Sequence, residues 1–356
     1  MNPLRDVIDR AIQLGRPVQD ASASQWSAAG SQLADLTWHR CGLPAADLRD
    51  ADLTNSRWVQ CDLRGANLRG AKLDGAAFID CQLDHTQWSD TSTINTAWVK
   101  CALAGSDWRG AHLEVSNWLQ CGLQQACFAA VALKRCAFAG STTVQLDLTD
   151  ARLLQCALTG LNLVDAVLAG LQADTVAFIG STLLNQKLAG LALPRCNFDG
   201  VDFGGADFSG ADLTAANFHG SRLDQACFNQ AQAGHALFLE AQLNACRFTD
   251  CQLQSALFVR AVLNRCGFRG AVLAQSVWDH ARLTDCDLQG VHFDYGRFDH
   301  ARCSRSNFSH CGFDRARLHG AVFDDCDFTG AHTALAYQTD QALLAAEQPV
   351  LSLESA

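Results

Sequence analysis

A register with a period of five runs from Leu33 to Phe328 without a slip. Of the sixty positions whose numbers end in 3 or 8, all but Thr93, Thr143, Ala173, Ala233 and Cys303 hold Leu, Phe or Trp. All 19 Phe and seven of the eight Trp fall there, where chance would put about a fifth of them. Two residues earlier the occupant is almost always Ala, Cys, Ser, Thr, Val or Gly, and 14 of the 17 cysteines occupy this slot. On an extended chain residues i−2 and i point the same way. Both therefore face inward, while i−1 and i+1 face out and the Gly, Asp, Asn, Gln or His common at i+2 suits a turn. A five-residue unit buries its inward pair only by stacking coil on coil. Cys41, Cys61, Cys81, Cys101 and Cys121 set the coil at twenty residues, as do Trp38, Trp58, Phe78, Trp98 and Trp118. Centres ending in 3 are mostly Leu and those ending in 8 mostly aromatic, so two opposite walls are Leu and two are Phe or Trp.

The units Ala46-Asp47-Leu48-Arg49-Asp50, Ala51-Asp52-Leu53-Thr54-Asn55, Ala66-Asn67-Leu68-Arg69-Gly70 and Ala211-Asp212-Leu213-Thr214-Ala215 resemble the pentapeptide-repeat family, A-(D/N)-L-x-x, over residues 31–332. The resemblance implies an all-β fold, a right-handed quadrilateral parallel β-helix with four units to a square coil. Exposed strand edges at the ends of such a solenoid need covers. Residues 1–20 predict an amino-terminal capping helix, with Asn2 as cap, Pro3 in the first turn and Gly15 as terminator. Residues 21–332 form the β-helix, and 333–356 a second capping helix and tail. There Thr339 is the expected cap, the helix runs through Glu347 to a stop at Pro349, and Val350 to Ala356 are a tail.

Composition narrows the function. The chain is 49% hydrophobic and has no apolar run near the length of a membrane span. Arg5, Asp6, Asp9 and Arg10 stand where a secretory signal needs apolar residues, so the expectation is a cytoplasmic protein with reduced thiols. No nucleophile elbow, phosphate loop, dinucleotide fingerprint or zinc-protease motif is present, and no catalytic, cofactor or metal residue is assigned. Cys127, Cys227 and Cys303 lie outside the small-residue slot without a catalytic partner. His280 and His300, one coil apart on one corner, place two imidazoles within reach of each other but read first as turn residues. Leu146, Leu161, Leu171, Gln186 and Leu191 break the small-residue rule, and Gln186 requires a buried partner.

The outward positions carry the functional expectation. Val59, Ile79, Val99 and Leu119 recur every twenty residues, followed by Ala139, Thr159 and Ile179, with Ala77, Ala97, Ala137, Ala157 and Ala177 beside them. Around one corner Val144, Val164 and Leu184 stack likewise. A contiguous apolar stripe of this kind suggests an interface. The expected role is a non-enzymatic protein-binding scaffold or adaptor, covered by a protein partner or a second copy, without membrane or direct nucleic-acid contact. The resemblance implies two settings. Loop-free pentapeptide-repeat proteins occur as accessory factors of type VI secretion that load or carry effectors. Others, of the quinolone-resistance type, mimic duplex DNA and bind DNA gyrase. The net charge of −10 is concentrated at residues 141–230, with nine acids and four bases that include Asp199, Asp202, Asp207, Asp212 and Asp224. Abundant arginines elsewhere and the uninterrupted array weigh against the DNA mimic, which stands as the alternative.

Overall fold

Stacking requires each coil to pair with the one twenty residues on, and the computed structural model, which describes residues 3–347, shows this pairing within each of two units. Every strand pair is parallel and joins residues twenty apart, as in Trp58↔Phe78 and Leu263↔Leu283; the isolated bridges keep the same offset from Ser22↔Gly42 to Arg317↔Tyr337. The expected right-handed quadrilateral parallel β-helix is the fold. The chain divides into two compact units. The first reaches Lys187 and takes in Leu191–Asn197; the second comprises Leu188–Gly190 and the chain from Phe198 onward.

Four walls are numbered here in chain order. In the first unit the first wall has its centres at Val18, Trp38, Trp58 and onward, the second at Leu43 and Leu63, the third at Leu48 and Leu68, and the fourth at Leu33 and Leu53. The first wall is an eight-stranded sheet from Val18–Gln19 to Ala157–Thr159, and the fourth carries five strands from Ser92–Ile94 to Gln172–Asp174. In the second unit five strands from Gln242–Asn244 to Val322–Asp324 line the second wall.

Corners impose left-handed backbone at nearly every residue ending in 0 or 5, whatever the side chain. Asp50, Asn55 and Gln60 sit at φ of 56°, 56° and 54°, and even the β-branched Val115 and Thr175 sit at 54° and 55°. Many corners close with a hydrogen bond from the next slot residue to the preceding centre, such as Ala46 N–H to Leu43 O at 3.2 Å. With positive φ at the third residue, this is a type II turn.

Three-residue strands turn differently, and this explains the cysteines. Fifteen of the seventeen such strands are followed in the slot by Cys, Ser or Thr, the exceptions being Leu161 and Val176. The thiol of Cys81 reaches Ile79 O and Trp58 O, each at 3.4 Å, and Cys101 reaches Val99 O at 3.5 Å and Phe78 O at 3.3 Å. Ser141 does the same with Ala139 O at 3.5 Å and Trp118 O at 3.2 Å. A small side chain with a weak donor fits there, so the thiol column is a corner-stabilising device. All 17 cysteines are free.

The core follows the two aromatic walls. Trp38 stacks on Trp58 at 4.5 Å and 1°, and Trp98 on Trp118 at 4.8 Å, while Trp88 meets Trp98 edge-on at 5.6 Å and 89°. In the second unit Phe218, Phe238, Phe258 and Trp278 stack likewise, opposite Phe208, Phe228, Phe248 and Phe268. Four buried indole N–H groups find slot hydroxyls, among them Trp58 donating to Ser56 at 2.9 Å and Trp278 to Ser276 at 2.8 Å, whereas those of Trp38, Trp98 and Trp118 are buried without a partner. Gln186, 7% exposed, donates its amide to Leu163 O, Val164 O and Ala166 O at 2.6, 3.0 and 3.0 Å, which supplies the partner its burial demands.

Both terminal helices exist but sit differently. Helix α1 (Pro3–Leu14) ends in a Schellman motif at Gly15, with Gly15 N–H to Ile12 O at 3.2 Å and Arg16 N–H to Ala11 O at 3.0 Å. Its expected cap, Asn2, lies outside the described residues. Leu4, Ile8 and Ala11 are buried. Helix α2 (Gln341–Glu347) buries no residue. Its cap is Asp340, which accepts from Ala342 N–H at 2.9 Å and Leu343 N–H at 3.1 Å. Thr339, the expected cap, instead spends its hydroxyl on Leu318 O and on the N–H of Gly320. The expected stop at Pro349 and the tail Val350–Ala356 fall outside the described residues.

Candidate functional site

The outward stripe forms in register. Val59, Ile79, Val99 and Leu119 are successive partners on the eight-stranded first wall, continued by Ala139 and Thr159. Neighbours shield one another, so Val59, Ile79 and Val99 are half-buried while Leu119 and Ile179 are exposed. The flanking alanines at 77, 97, 137, 157 and 177 are also half-buried. Val144 is exposed on the second wall, and Val164 and Leu184 are half-buried in the same column. The sequence-derived residues are thus outward and contiguous within the first unit.

The fourth wall of the same unit holds a feature that sequence reasoning passed over. Its strands form the floor of an open groove of about 610 Å³ that runs from Ser92–Ile94 to Ala192 and Pro194. Ile94 and Leu154 are exposed along it, alternating with Glu114, Lys134 and Asp174. Arg135 and Lys134 flank Glu114 and hold its carboxyl below the usual glutamate range. The signal was present as a twenty-residue column, but its mixed charge hid it from a search for uniform stripes. The second unit carries a further apolar column, Leu237, Leu257 and Val277, with Leu239 and Val259 beside it, all half-buried.

The acidic residues are dispersed by the same geometry. Asp202, Asp207 and Asp212 lie five residues apart and so fall on three different walls, where each accepts a backbone N–H two residues on, from Gly204, Ser209 and Thr214. Along its own column Asp202 is followed by Arg222 and Gln242. In the first unit Asp47, Asp62 and Asp107 pair with Arg49, Arg64 and Arg109, whose guanidinium groups hold the carboxyls below their ordinary range. Most of these acids therefore serve their own turns.

Thiols outside the slot separate by burial. Cys303 is 2% and Cys227 7% exposed, the latter with its sulfur 3.2 Å from Ser209 Oγ, while Cys127 is half-exposed, as is the slot residue Cys326 near the carboxy-terminal end. Cys227, outward by the repeat rule, is thus covered by its neighbours. The His280 and His300 rings stack at 5.1 Å and 10°, and His319 and Glu347 close around His300.

Residues 31–108 match a family model described as a pentapeptide repeat region, and residues 193–231, 266–302 and 301–332 match one described as pentapeptide repeats (8 copies). No curated protein matches the chain. Similar solved structures include a trypsin-treated variant of QnrB1, a plasmid-mediated fluoroquinolone resistance protein, at 16% identity, 55% of this chain, 90% of that one and a TM-score of 0.39. HetL, involved in heterocyst differentiation regulation in the cyanobacterium Nostoc, matches at 17% identity over 94% of this chain and 96% of its own, with a TM-score of 0.16. Rfr23 from the cyanobacterium Cyanothece matches at 17% identity over 50% and 97%, with a TM-score of 0.13.

Proposed function

Because the chain belongs to the pentapeptide-repeat family, whose solenoids are generally structural or binding proteins rather than enzymes, we propose that it is a protein-binding scaffold or adaptor whose partner docks on the first wall of the first unit. The supporting observation is the in-register column Val59, Ile79, Val99 and Leu119 with its alanine flank. Apolar surface left in water is unfavourable by roughly 25 cal/mol per Å², and a flat parallel sheet presents it to a partner without rearrangement. Ile179, Val144, Val164 and Leu184 extend the same apolar surface. Seventeen free cysteines suit a reducing, cytoplasmic setting. An accessory role in type VI secretion is the finer reading, and it rests on the loop-free array. The gyrase-binding DNA mimic has less support, because the acids circle the coil instead of forming a column.

The test is the double variant Ile79→Arg with Val99→Arg. Both side chains point outward, so circular dichroism and melting should be unchanged. Capture of the partner, or dimer size if the partner is a second copy, should be lost, since an unpaired charge in an interface is costly. A folded variant that retains every partner and its size removes this reading. Salt-sensitive inhibition of gyrase supercoiling by the wild-type chain would favour the mimic instead.

A further inference from the structure

The corner that carries His280 and His300 brings together more than two turn residues. His319 lies one coil beyond on the adjoining first wall of the second unit, and Glu347 ends α2. One oxygen of Glu347, Oε2, lies 3.0 Å from His300 Nε2 and 3.2 Å from His319 Nε2. One donor atom from each residue falls within 4.8 Å of the other two. His319 is 7% exposed and meets His300 edge-on at 5.4 Å, while His280 stacks on His300 at 5.1 Å. The His300 ring fits over a glycine: a Cβ at Gly320 would sit 2.5 Å from its Nδ1. Asp299, beside His300 in sequence, pairs with Arg317 at 2.8 Å, so its charge is already matched.

We propose that His300, His319 and Glu347 bind a divalent transition-metal ion of the zinc, cobalt or nickel class, which fastens α2 to the side of the second unit. Two imidazoles and a carboxylate are the ligand types such ions take, with bonds of about 2.0–2.2 Å. Ligands at that range in a tetrahedron stand about 3.3 Å apart, close to the two nitrogen–oxygen distances here. Three protein ligands leave a fourth position for water. As it stands, Asp340 N–H donates to His319 Nδ1 at 3.3 Å, so Nε2 carries the proton and donates it to Glu347. Coordination at Nε2 moves that proton to Nδ1 and opens this long bond, so the first turn of α2 shifts when the ion binds. The coordinating ring nitrogens must be free of protons to bind, so protons compete with the ion.

The experiment titrates the chelator-treated full chain with Zn²⁺ by calorimetry and with Co²⁺ by visible absorption. The expected result is one ion per chain, a cobalt spectrum of low coordination number without a sulfur charge-transfer band, and a melting temperature raised by zinc. Glu347→Gln and His300→Asn, both partly exposed, should keep the fold by circular dichroism. Each should weaken binding on the order of 100-fold, since even supporting residues cost 10–100-fold. Absence of stoichiometric binding overturns the proposal, as does equal affinity in both variants or a sulfur-bound cobalt spectrum. Melting that follows pH through the histidine range but ignores metal would make the cluster an ion-pair clasp and would also overturn it.

Discussion

At the amino-terminal end Leu4, Ile8 and Ala11 of α1 are buried, and α1 shares a crevice with Trp26, Ala28 and Leu33, themselves buried. At the carboxy-terminal end α2 buries nothing, and Ala321, Phe323, Cys326, Phe328 and Ala331 remain partly open. These residues occupy the same inward slots as Ala226, Phe228 or Phe238, each 0% exposed. The repeat thus fixes which way a side chain points. Whether it is buried depends on what lies above it, which in the interior is always another coil. Trp26, the one Trp outside the centre positions, belongs to the first of these solutions: it tilts against Trp38 at 5.7 Å and widens the apolar floor under α1.

Core truncations should divide along this line most strongly. Phe218→Ala should cost about 3–5 kcal/mol and Ile8→Ala about 2–5 kcal/mol, because both remove fully packed groups. Phe328→Ala should cost less than half as much as Phe218→Ala, and Leu343→Ala, 46% exposed, should stay within about 0.5 kcal/mol. Denaturant unfolding of the four variants measures this; equal losses for Phe218 and Phe328 would erase the distinction between interior and end.

Hydrogen exchange sharpens it next. Amides at Leu43, Leu48 and Leu53 have coils on both sides, so they should exchange only through large openings. Those at Val322, Asp327 and His332 belong to the open end and should exchange at least about 10-fold faster. Uniform protection would mean that the last coil is covered.

Thiol reactivity should follow the same order with a smaller spread. Burial pushes Cys251 up to about 12 and Cys311 up to about 11, where thiolate is scarce at neutral pH. Cys127 and Cys326, half-exposed though also raised by partial burial, should react first with a bulky reagent. Cys41, Cys61, Cys81 and Cys101 should wait for unfolding. Early labelling of Cys61 in native protein would contradict the inward slot.

The fold was legible because the period of five and the coil of twenty are dictated by packing: Leu, Phe and Trp mark the centres and small residues the slots. The apolar column was legible for the same reason, since residues twenty apart must stack. Other features required coordinates. The fourth-wall groove alternates Ile94, Glu114, Lys134 and Leu154, so no single property repeats along it. Cys227 counts as outward by parity yet is covered by its neighbours. Glu347 meets His300 and His319 only because α2 lies along the side of the second unit, a placement that its seven residues do not encode by themselves. The preference for Cys, Ser or Thr after three-residue strands is a backbone effect, and the sequence shows only the residue types.

The smallest effect concerns the cap of α2. Asp340 accepts two backbone N–H groups of the first turn, and removing such a cap costs about 0.5–2 kcal/mol of helix stability. A seven-residue helix is marginal without tertiary support, and α2 contributes no buried residue to the second unit. Asp340→Ala in metal-free buffer should therefore lower the helical signal slightly and leave the main unfolding transition of the chain unmoved. Thr339→Ala should act the other way round. Its hydroxyl serves Leu318 O and Gly320 N–H on the coil, so helix content should persist while protection at Gly320 falls. Circular dichroism and exchange on the two variants separate these roles. A global melting shift with Asp340→Ala comparable to that of Ile8→Ala would show that α2 covers the core after all, and the two ends would then be alike.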